Sequence, residues 1–458
     1  MNSVAPTVSG HSPTRFRALT PDENELLCNT DRGTPGGDFL RSYWQPVALA
    51  SDVDAGGAPV PLVVMGEELV LFRDTDGKYG LVGRWCPHRG VDLSYSRVEV
   101  GGLRCLYHGW LISGDGRCRE QPGELEQDEY SAEVSHSGYP CVVAAGCVFA
   151  YLGDGEPPAL PGYDVFAADP DHVFAARLLY TGNYTADIDH ALDPGHVSFL
   201  HLQFPESEAS GRYGPSGSLG ITGTDMSANA LYGLDPSPLV ETERVDYGLR
   251  VAATRRVDDD RSFVRVMEYM YPNICTAPVF EDGYTIQYIV PQDNESHWRF
   301  DISLDRATAF DKERWAAIWG AMQDEHGHSH RRGDNRYRQD RDQMGDWFAG
   351  MGPFPPDHDG CVLEQTWPRR RRVEEQLGAQ DRAIAQVRDL MVTAINDVAQ
   401  GKPPPRGVQL PGHRVVAFSA VVDRSTKWNQ LYDKREAALS PVTESNSTTT
   451  EGGGGRER

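Results

Sequence analysis

Long apolar runs are missing from this chain of 458 residues. The longest, Val142 to Leu152, falls far short of the roughly 20 residues that cross a bilayer as a helix, and it reads as one buried strand. No apolar stretch follows the polar opening MNSVAPTVSGHSPTRFRAL, so no secretory signal is expected and the cytoplasm is the expected compartment. Positive charge is scarce as well. The 44 Lys and Arg face 67 Asp and Glu, and the formal charge of -23 opposes binding to nucleic acid or to an anionic membrane. The one basic cluster, Arg369 to Arg372, runs into Glu374 and Glu375 and reads as a solvated approach to a helix. Cysteine is sparse: eight residues, at 28, 86, 105, 118, 141, 147, 275 and 361, suit free thiols or metal ligands better than a disulfide framework.

Turn signals and short apolar runs are plentiful. From Trp44 to Leu152, segments such as PLVVM, ELVLFRD, YGLVGRW and CVVAAGCVFAYL alternate with turns at Asp74 to Gly77 and Gly114 to Gly116, the pattern of an all-β domain. The Pro- and Gly-rich GDGEPPALPGYD (153–164) makes a domain boundary. Beyond it lie a short helical or irregular stretch around Asp187 to His201 and longer strand-like runs, among them GLRVAATRRV, SFVRVMEYMY and GYTIQYIVPQ. Two helices follow. One spans about 310–324, with Trp315, Ile318, Trp319 and Met322 as a core-facing stripe; the other spans about 380–399, with Ile384, Val387, Met391 and Ile395 at helical spacing. The expected class is α+β, a β-domain followed by an antiparallel sheet carrying helices. Residues 1–20 and the low-complexity 439–458 have little to bury and are expected to be disordered.

Two short boxes carry the first chemistry. Cys86-Pro87-His88-Arg89-Gly90 and Cys105-Leu106-Tyr107-His108-Gly109-Trp110 each offer one thiolate and one imidazole, sixteen residues apart between His88 and Cys105. Two Cys hold one iron of a [2Fe-2S] cluster while two neutral His hold the other, which raises the reduction potential. A zinc site uses the same atoms, but it usually groups like ligands together rather than giving each loop one Cys and one His. Cys118, Cys141 and Cys147 fit better as small buried strand residues.

The second chemistry lies at Asp193, His196 and His201, spaced D-x2-H-x4-H. Two His and a carboxylate on one face of Fe(II) leave positions open for O2. A separation of five places His196 and His201 about 140° apart on an ideal α-helix, so a widened, π-like turn is expected to bring them together. A pair of loop or core histidines is the plainer alternative. His190 reads as a neighbour of the site or as an exposed residue, and His326, His328 and His330 as a polar loop. No G-x-G-x-x-G in a βαβ setting is present, so a nicotinamide or flavin reductase is expected to be a separate chain.

CPHRG with CLYHGW, and the GDGRCREQPGE behind them, resemble the paired boxes of the Rieske non-haem iron oxygenases, and DPGHVSFLH (193–201) is similar to the iron-binding stretch of their phthalate-type branch. The resemblance runs from about Cys28 to Lys434. It implies a Rieske domain with an N-terminal extension (21–155) and a helix-grip catalytic domain (156–438) with a mononuclear iron. By the same resemblance Cys86, His88, Cys105 and His108 hold the cluster, His196 and His201 bind the iron, and Asp193 links the iron to a cluster in the next subunit of a homotrimer or of stacked trimers. The family's late segment, an Asp three residues before a Val and five before a Glu ahead of a helix, falls on Asp359-Gly360-Cys361-Val362-Leu363-Glu364 and makes Asp359 the carboxylate ligand; Asp357, His358 and Glu364 are its rivals. The implied reaction takes electrons from NAD(P)H through a flavin and iron-sulfur reductase, with or without a ferredoxin, and uses O2 on an aromatic, carboxylated substrate. Monooxygenation, as hydroxylation or O-demethylation, is preferred over cis-dihydroxylation. A Rieske electron carrier without oxygenase activity is the alternative of another class. Arg244, Arg250 and Arg256 could meet a substrate carboxylate, though alternating exposed arginines on a sheet are the plainer reading.

Overall fold

A computed structural model gives the fold, described for residues 15–125, 131–204, 221–224, 226–366, 372–405 and 415–438. The expectations for residues 1–14, 439–458 and Arg369 to Arg371 lie outside these described residues. Two short helices open the chain, α1 (Pro21–Cys28) and α2 (Pro35–Arg41). Thr20 and Thr34 cap them, each with Pro at the start, and Thr20 and Glu23 satisfy each other's backbone amides in a capping box.

Eleven short strands follow: β1 (Trp44–Leu49), β2 (Val60–Val64), β3 (Glu67–Arg73), β4 (Tyr79–Gly83), β5 (Arg97–Glu99), β6 (Gly102–Arg104), β7 (Leu111–Ile112), β8 (Cys118–Glu120), β9 (Gly138–Tyr139), β10 (Cys141–Ala144) and β11 (Cys147–Tyr151). They form three antiparallel sheets, β1-β11-β10, β2-β3-β4-β9 and β5-β6-β7-β8. The run Val142 to Leu152 is therefore not one strand. It folds into the β10–β11 hairpin because Ala145 and Gly146 both take positive φ, 46° and 78°, which turns the chain in two residues.

The second half is built on an eight-stranded antiparallel sheet: β12 (Val173–Thr181), β13 (Leu239–Val245), β14 (Gly248–Arg256), β15 (Arg261–Met270), β16 (Ile274–Phe280), β17 (Gly283–Pro291), β18 (Ser296–Asp305) and β19 (Phe418–Asp423). Its order is β12-β18-β17-β16-β15-β14-β13. Strand β15 pairs with β16 only at Tyr269 and Met270, and β19 takes up the free edge from Arg261 to Val266. The helices around the sheet are α3 (Tyr184–Ala191), α4 (Ala228–Leu234), α5 (Lys312–Met322), α6 (Pro355–Thr366), α7 (Arg382–Ala399) and α8 (Trp428–Ala438). The α7 stripe is as the spacing predicts, with Ile384, Val387, Met391 and Ile395 all buried. Helix α5 differs. Only Met322 is buried; Trp315 instead packs half-exposed on Phe174 and Phe310, at ring separations of 5.5 and 5.1 Å. No helix among the described residues is long and apolar enough to cross a membrane.

One charged clasp joins the halves of this region. Asp189 on α3 receives Arg388 of α7 in a forked contact, Nη2 to Oδ2 at 2.7 Å and Nε to Oδ1 at 3.1 Å, and Arg372 reaches the same carboxylate at 2.6 Å. Arg372 also donates to Thr185 Oγ1 and is 2% exposed, so it is a buried tie rather than the solvated residue that the Arg369 to Arg372 cluster suggested. Replacing Arg388 by Met leaves Asp189 short of a partner in a poorly solvated place. Arg372 still pairs that carboxylate, so a loss of about 1–3 kcal/mol in urea unfolding is expected, and the Asp189→Asn, Arg388→Met double variant should lose more because it strips the buried Arg372 of its acid.

Candidate metal centres

The two Cys/His loops are built alike. The Cys86 amide donates to the Val91 carbonyl and the Gly90 amide to the Cys86 carbonyl, both at 2.8 Å; the Cys105 amide donates to Trp110 at 2.8 Å and the Gly109 amide to Cys105 at 3.0 Å. Each loop closes through a glycine in the left-handed region, φ 70° at Gly90 and 74° at Gly109, where a side chain would be strained. Cys86 and Cys105 are buried side by side, and burial together with the neighbouring thiol pushes Cys86 up to about 11, against the pull of the His88 amide. The His88 and His108 rings stand 4.5 Å apart, and Trp110 lies flat against His88 at 4.4 Å. Two thiols in one couple and two imidazoles in another are the donors that a two-iron cluster with unlike ends requires.

The second centre forms where α3 ends. Asn183 caps that helix, His190 sits in its last turn, and Asp193 accepts the Gly195 amide at 2.7 Å to shape the following turn. The expected widened turn is absent. His196–Ser198 is a tight 3-10 turn, with the Phe199 amide bonded to the His196 carbonyl at 3.0 Å; Phe199 then leaves helical space (φ -130°, ψ -65°) and swings His201 back toward His196. Asp359 arrives from α6, inside the helix rather than ahead of it, because that helix already begins at Pro355.

His190, His196, His201 and Asp359 each bring a ligand atom to within 4.8 Å of the others. Asp359 Oδ1 lies 2.9 Å from His190 Nε2 and 3.1 Å from His201 Nε2, while its Oδ2 accepts Arg299 Nη1 of β18 at 3.1 Å. The rivals of Asp359 have other occupations. Asp357 accepts from Ser329 at 2.7 Å, Glu364 accepts from Tyr337 at 2.5 Å, and His358 stands behind His201. Asp193 is outside the group, its Oδ2 3.7 Å from His196 Nδ1, and stays 27% exposed. The sequence left His190 between a neighbour of the site and an exposed residue, although three His within twelve positions, 190 to 201, was a signal for it, and Arg299 was not singled out.

A relay sets the tautomer of His201. His358 Nε2 is 2.8 Å from the Gly352 carbonyl, which can only accept, so that nitrogen carries the proton. Its Nδ1 is then an acceptor for His201 Nδ1-H at 3.1 Å, and the lone pair of His201 is left on Nε2, facing Asp359. Burial, then the neighbouring His201, holds His358 neutral with a pKa lowered to about 4. Burial, then His190 and His201, lowers His196 well below the ordinary value, and its Nδ1 is buried without a partner among the described residues. Burial opposes the charges of Asp359 and His190, but their mutual attraction prevails, lowering the acid and raising the base. Imidazoles converging with a carboxylate suit a first-row metal that accepts N and O donors.

Beside this pocket, on the sheet face that carries the His196 turn, are two buried arginines. Arg255 donates to the Pro194 carbonyl, to Ser198 Oγ at 3.2 Å and to the Asp235 carbonyl at 3.1 Å, leaving Nη1 unpartnered among the described residues. Arg265 donates to Tyr232 Oη at 2.5 Å. No carboxylate forms an ion pair with either among the described residues. Ser419, paired across the sheet with Arg265, also has a buried hydroxyl without a partner among the described residues. Arg244, Arg250 and Arg256, by contrast, are taken up by Asp389, Glu243 and Asp259.

A pocket of this donor set in one chain with twin Cys/His loops is the pairing used by one class of oxidoreductase. Residues 43–131 match the Rieske [2Fe-2S] domain, residues 151–451 match the family described as LigXa C-terminal domain like, and the chain belongs to the Rieske oxygenases. Among its relatives, it is 32% identical to the phthalate 4,5-dioxygenase oxygenase subunit of Pseudomonas putida over 92% of this chain and 96% of that one. It is 26% identical to the 5,5'-dehydrodivanillate O-demethylase oxygenase subunit of Sphingobium sp., over 84% and 82%. The reduced complex between oxygenase and ferredoxin in carbazole 1,9a-dioxygenase shares the fold, with a TM-score of 0.53 at 19% identity over 86% of this chain and 96% of that one.

The unfolded chain binds a proton at His358 near pH 6.5, whereas the folded chain resists it until about pH 4. Protons bound in the unfolded state thus exceed those in the folded state across this window, so stability is undiminished above it and falls as the pH drops through it. His358→Asn is expected to flatten that part of the stability-pH curve, read by urea unfolding at pH 7, 5.5 and 4.5.

Proposed function

We propose that this chain is the terminal oxygenase component of a system that monooxygenates a carboxylated aromatic, by hydroxylation or O-demethylation, with electrons delivered by a separate reductase. The observation that carries the reading is the presence of both donor sets in one chain: Cys86, His88, Cys105 and His108 on twin loops, and His196, His201 and Asp359 around one point. Here the first four hold a [2Fe-2S] cluster and the other three hold a mononuclear iron. When bound, the cluster supplies an electron store and the iron supplies open positions at which O2 meets the substrate.

The protein's own residues do the rest. Arg299 fixes one oxygen of Asp359 and leaves the other for the metal. The His358 relay keeps the His201 lone pair on Nε2. Arg255 and Arg265 provide two buried cations without an acidic partner among the described residues, an arrangement that favours an anion in the pocket, and the substrate carboxylate is that anion. Tyr232, with the two guanidinium centres 5.0 and 5.9 Å from its ring, sits between them as an apolar and hydroxyl-bearing wall.

Asp193, part-exposed beside His196, would by the family resemblance be the group that links this centre to the cluster of an adjacent subunit in a homotrimer. The redox partner is a flavin and iron-sulfur reductase, acting directly or through a ferredoxin. The relatives that are named dioxygenases favour a second reading, cis-dihydroxylation of the ring.

Holoenzyme is expected to contain roughly three irons per chain, against roughly two for a simple electron carrier. With a surrogate reductase, O2 uptake should depend on an aromatic acid; formaldehyde or a phenol marks monooxygenation and a cis-diol marks the second reading. Arg265→Gln should raise KM for the acid at least tenfold and leave a neutral ester or amide analogue nearly unaffected.

A further inference from the structure

We infer that His190 is a third imidazole ligand of the mononuclear centre, so that this protein holds its metal with three histidines and one carboxylate. The inference rests on the reading above, in which His196, His201 and Asp359 hold the iron, and extends it to a residue outside that set.

The separations are those of a shared centre. Two donor atoms each about 2.1 Å from one metal stand about 3 Å apart when they occupy adjacent positions. Asp359 Oδ1 meets this toward both His190 Nε2, at 2.9 Å, and His201 Nε2, at 3.1 Å. An imidazole bound at about 2.1 Å has its ring centre roughly 3 Å from the metal, so rings of one centre lie about 4.5 Å apart when adjacent and about 6.5 Å apart when opposite. The ring of His190 is 4.1 Å from that of His196 and 6.5 Å from that of His201, and the rings of His196 and His201 are 5.0 Å apart. His190 and His201 therefore face each other across the point on which the donors converge, with His196 and Asp359 adjacent to both. A metal held by these four donors would still have room to bind O2.

The local structure gives His190 little freedom to do otherwise. It lies in the last turn of α3, whose Asn183 cap and buried face fix it to the sheet, and its side chain is 8% exposed. The Asp189 clasp to Arg388 and Arg372 holds the neighbouring position from the other side of the helix. A plain hydrogen bond to Asp359 would satisfy Nε2, but it would not by itself call for a ring packed at 4.1 Å against that of His196.

The test counts nitrogens in the holoenzyme. With the cluster oxidised and diamagnetic, nitric oxide is added to the ferrous centre and pulsed electron spin resonance reads the coordinated imidazoles, using protein labelled with 15N-histidine. Three are expected in the wild type and two in His190→Ala and His190→Asn, with Fe(II) affinity reduced about 10- to 100-fold and the visible spectrum of the cluster unchanged as a check on folding. Two imidazoles in the wild type overturn the inference, as does a variant that loses affinity without losing a nitrogen. His196→Ala and His201→Ala separate this from the underlying reading. If they abolish iron binding while His190→Asn retains the full nitrogen count, only the third ligand falls; if they leave the iron in place, the assignment of the whole centre falls with it.

Discussion

The carboxylate of Asp359 is the constraint on which the metal pocket depends. It is a buried anion, and groups from three different elements surround it: His190 from α3, His201 from the loop that follows, and the guanidinium of Arg299 from β18, which gives it a fixed positive partner. That one charge draws helix, loop, sheet and α6 to a common point. A second anion, Asp187, sits one layer deeper between His297 and Arg299, so the guanidinium of Arg299 is shared among carboxylates rather than being free to move. Burial raises Asp301, which also faces Arg299, to about 6. The charge beneath the pocket is therefore graded rather than uniformly negative.

The same logic holds at the outer end of α3. Asp189 gathers Arg372 and Arg388, and Glu375 completes the pairing of Arg388 at 2.6 Å. The helix is thus anchored by acids on its opposite faces, Asp187 to the sheet and Asp189 to α7. The N-terminal segment is sewn onto it too, through Tyr184 Oη to the Leu27 carbonyl at 3.0 Å and Asn183 to the Cys28 carbonyl at 2.9 Å. A histidine held on such a helix is positioned by the fold rather than by its own flexibility, which is what a metal ligand requires.

Much of this was written locally. The Cys/His loops were legible because all four donors and both glycines lie within two short boxes, and a turn of this kind needs nothing from the rest of the chain. His196 and His201 were legible as a pair by spacing, but the turn that unites them was not: a tight turn followed by one non-helical residue does the work expected of a widened one. The Val142 to Leu152 run misled because apolar content says that a segment is buried and not where it reverses; the small Ala145-Gly146 pair is what permits the hairpin. The stripe on α5 misled because an apolar face needs only something apolar to meet, and surface aromatics met it.

The sequence by itself determined the donor chemistry, the division into a β-domain and a sheet-and-helix domain, and the family, because each rests on residue types at short fixed spacings. The family's late segment already pointed to Asp359; tertiary structure alone decided that its rivals are otherwise occupied, that His190 lies with the group, that Arg372 is buried, and that Arg255 and Arg265 rather than Arg244, Arg250 and Arg256 lack acidic partners among the described residues. His190 and Asp359 are 169 residues apart. Contacts at that range are fixed by how sheet and helices stack around buried charge, and no local pattern of residues encodes them.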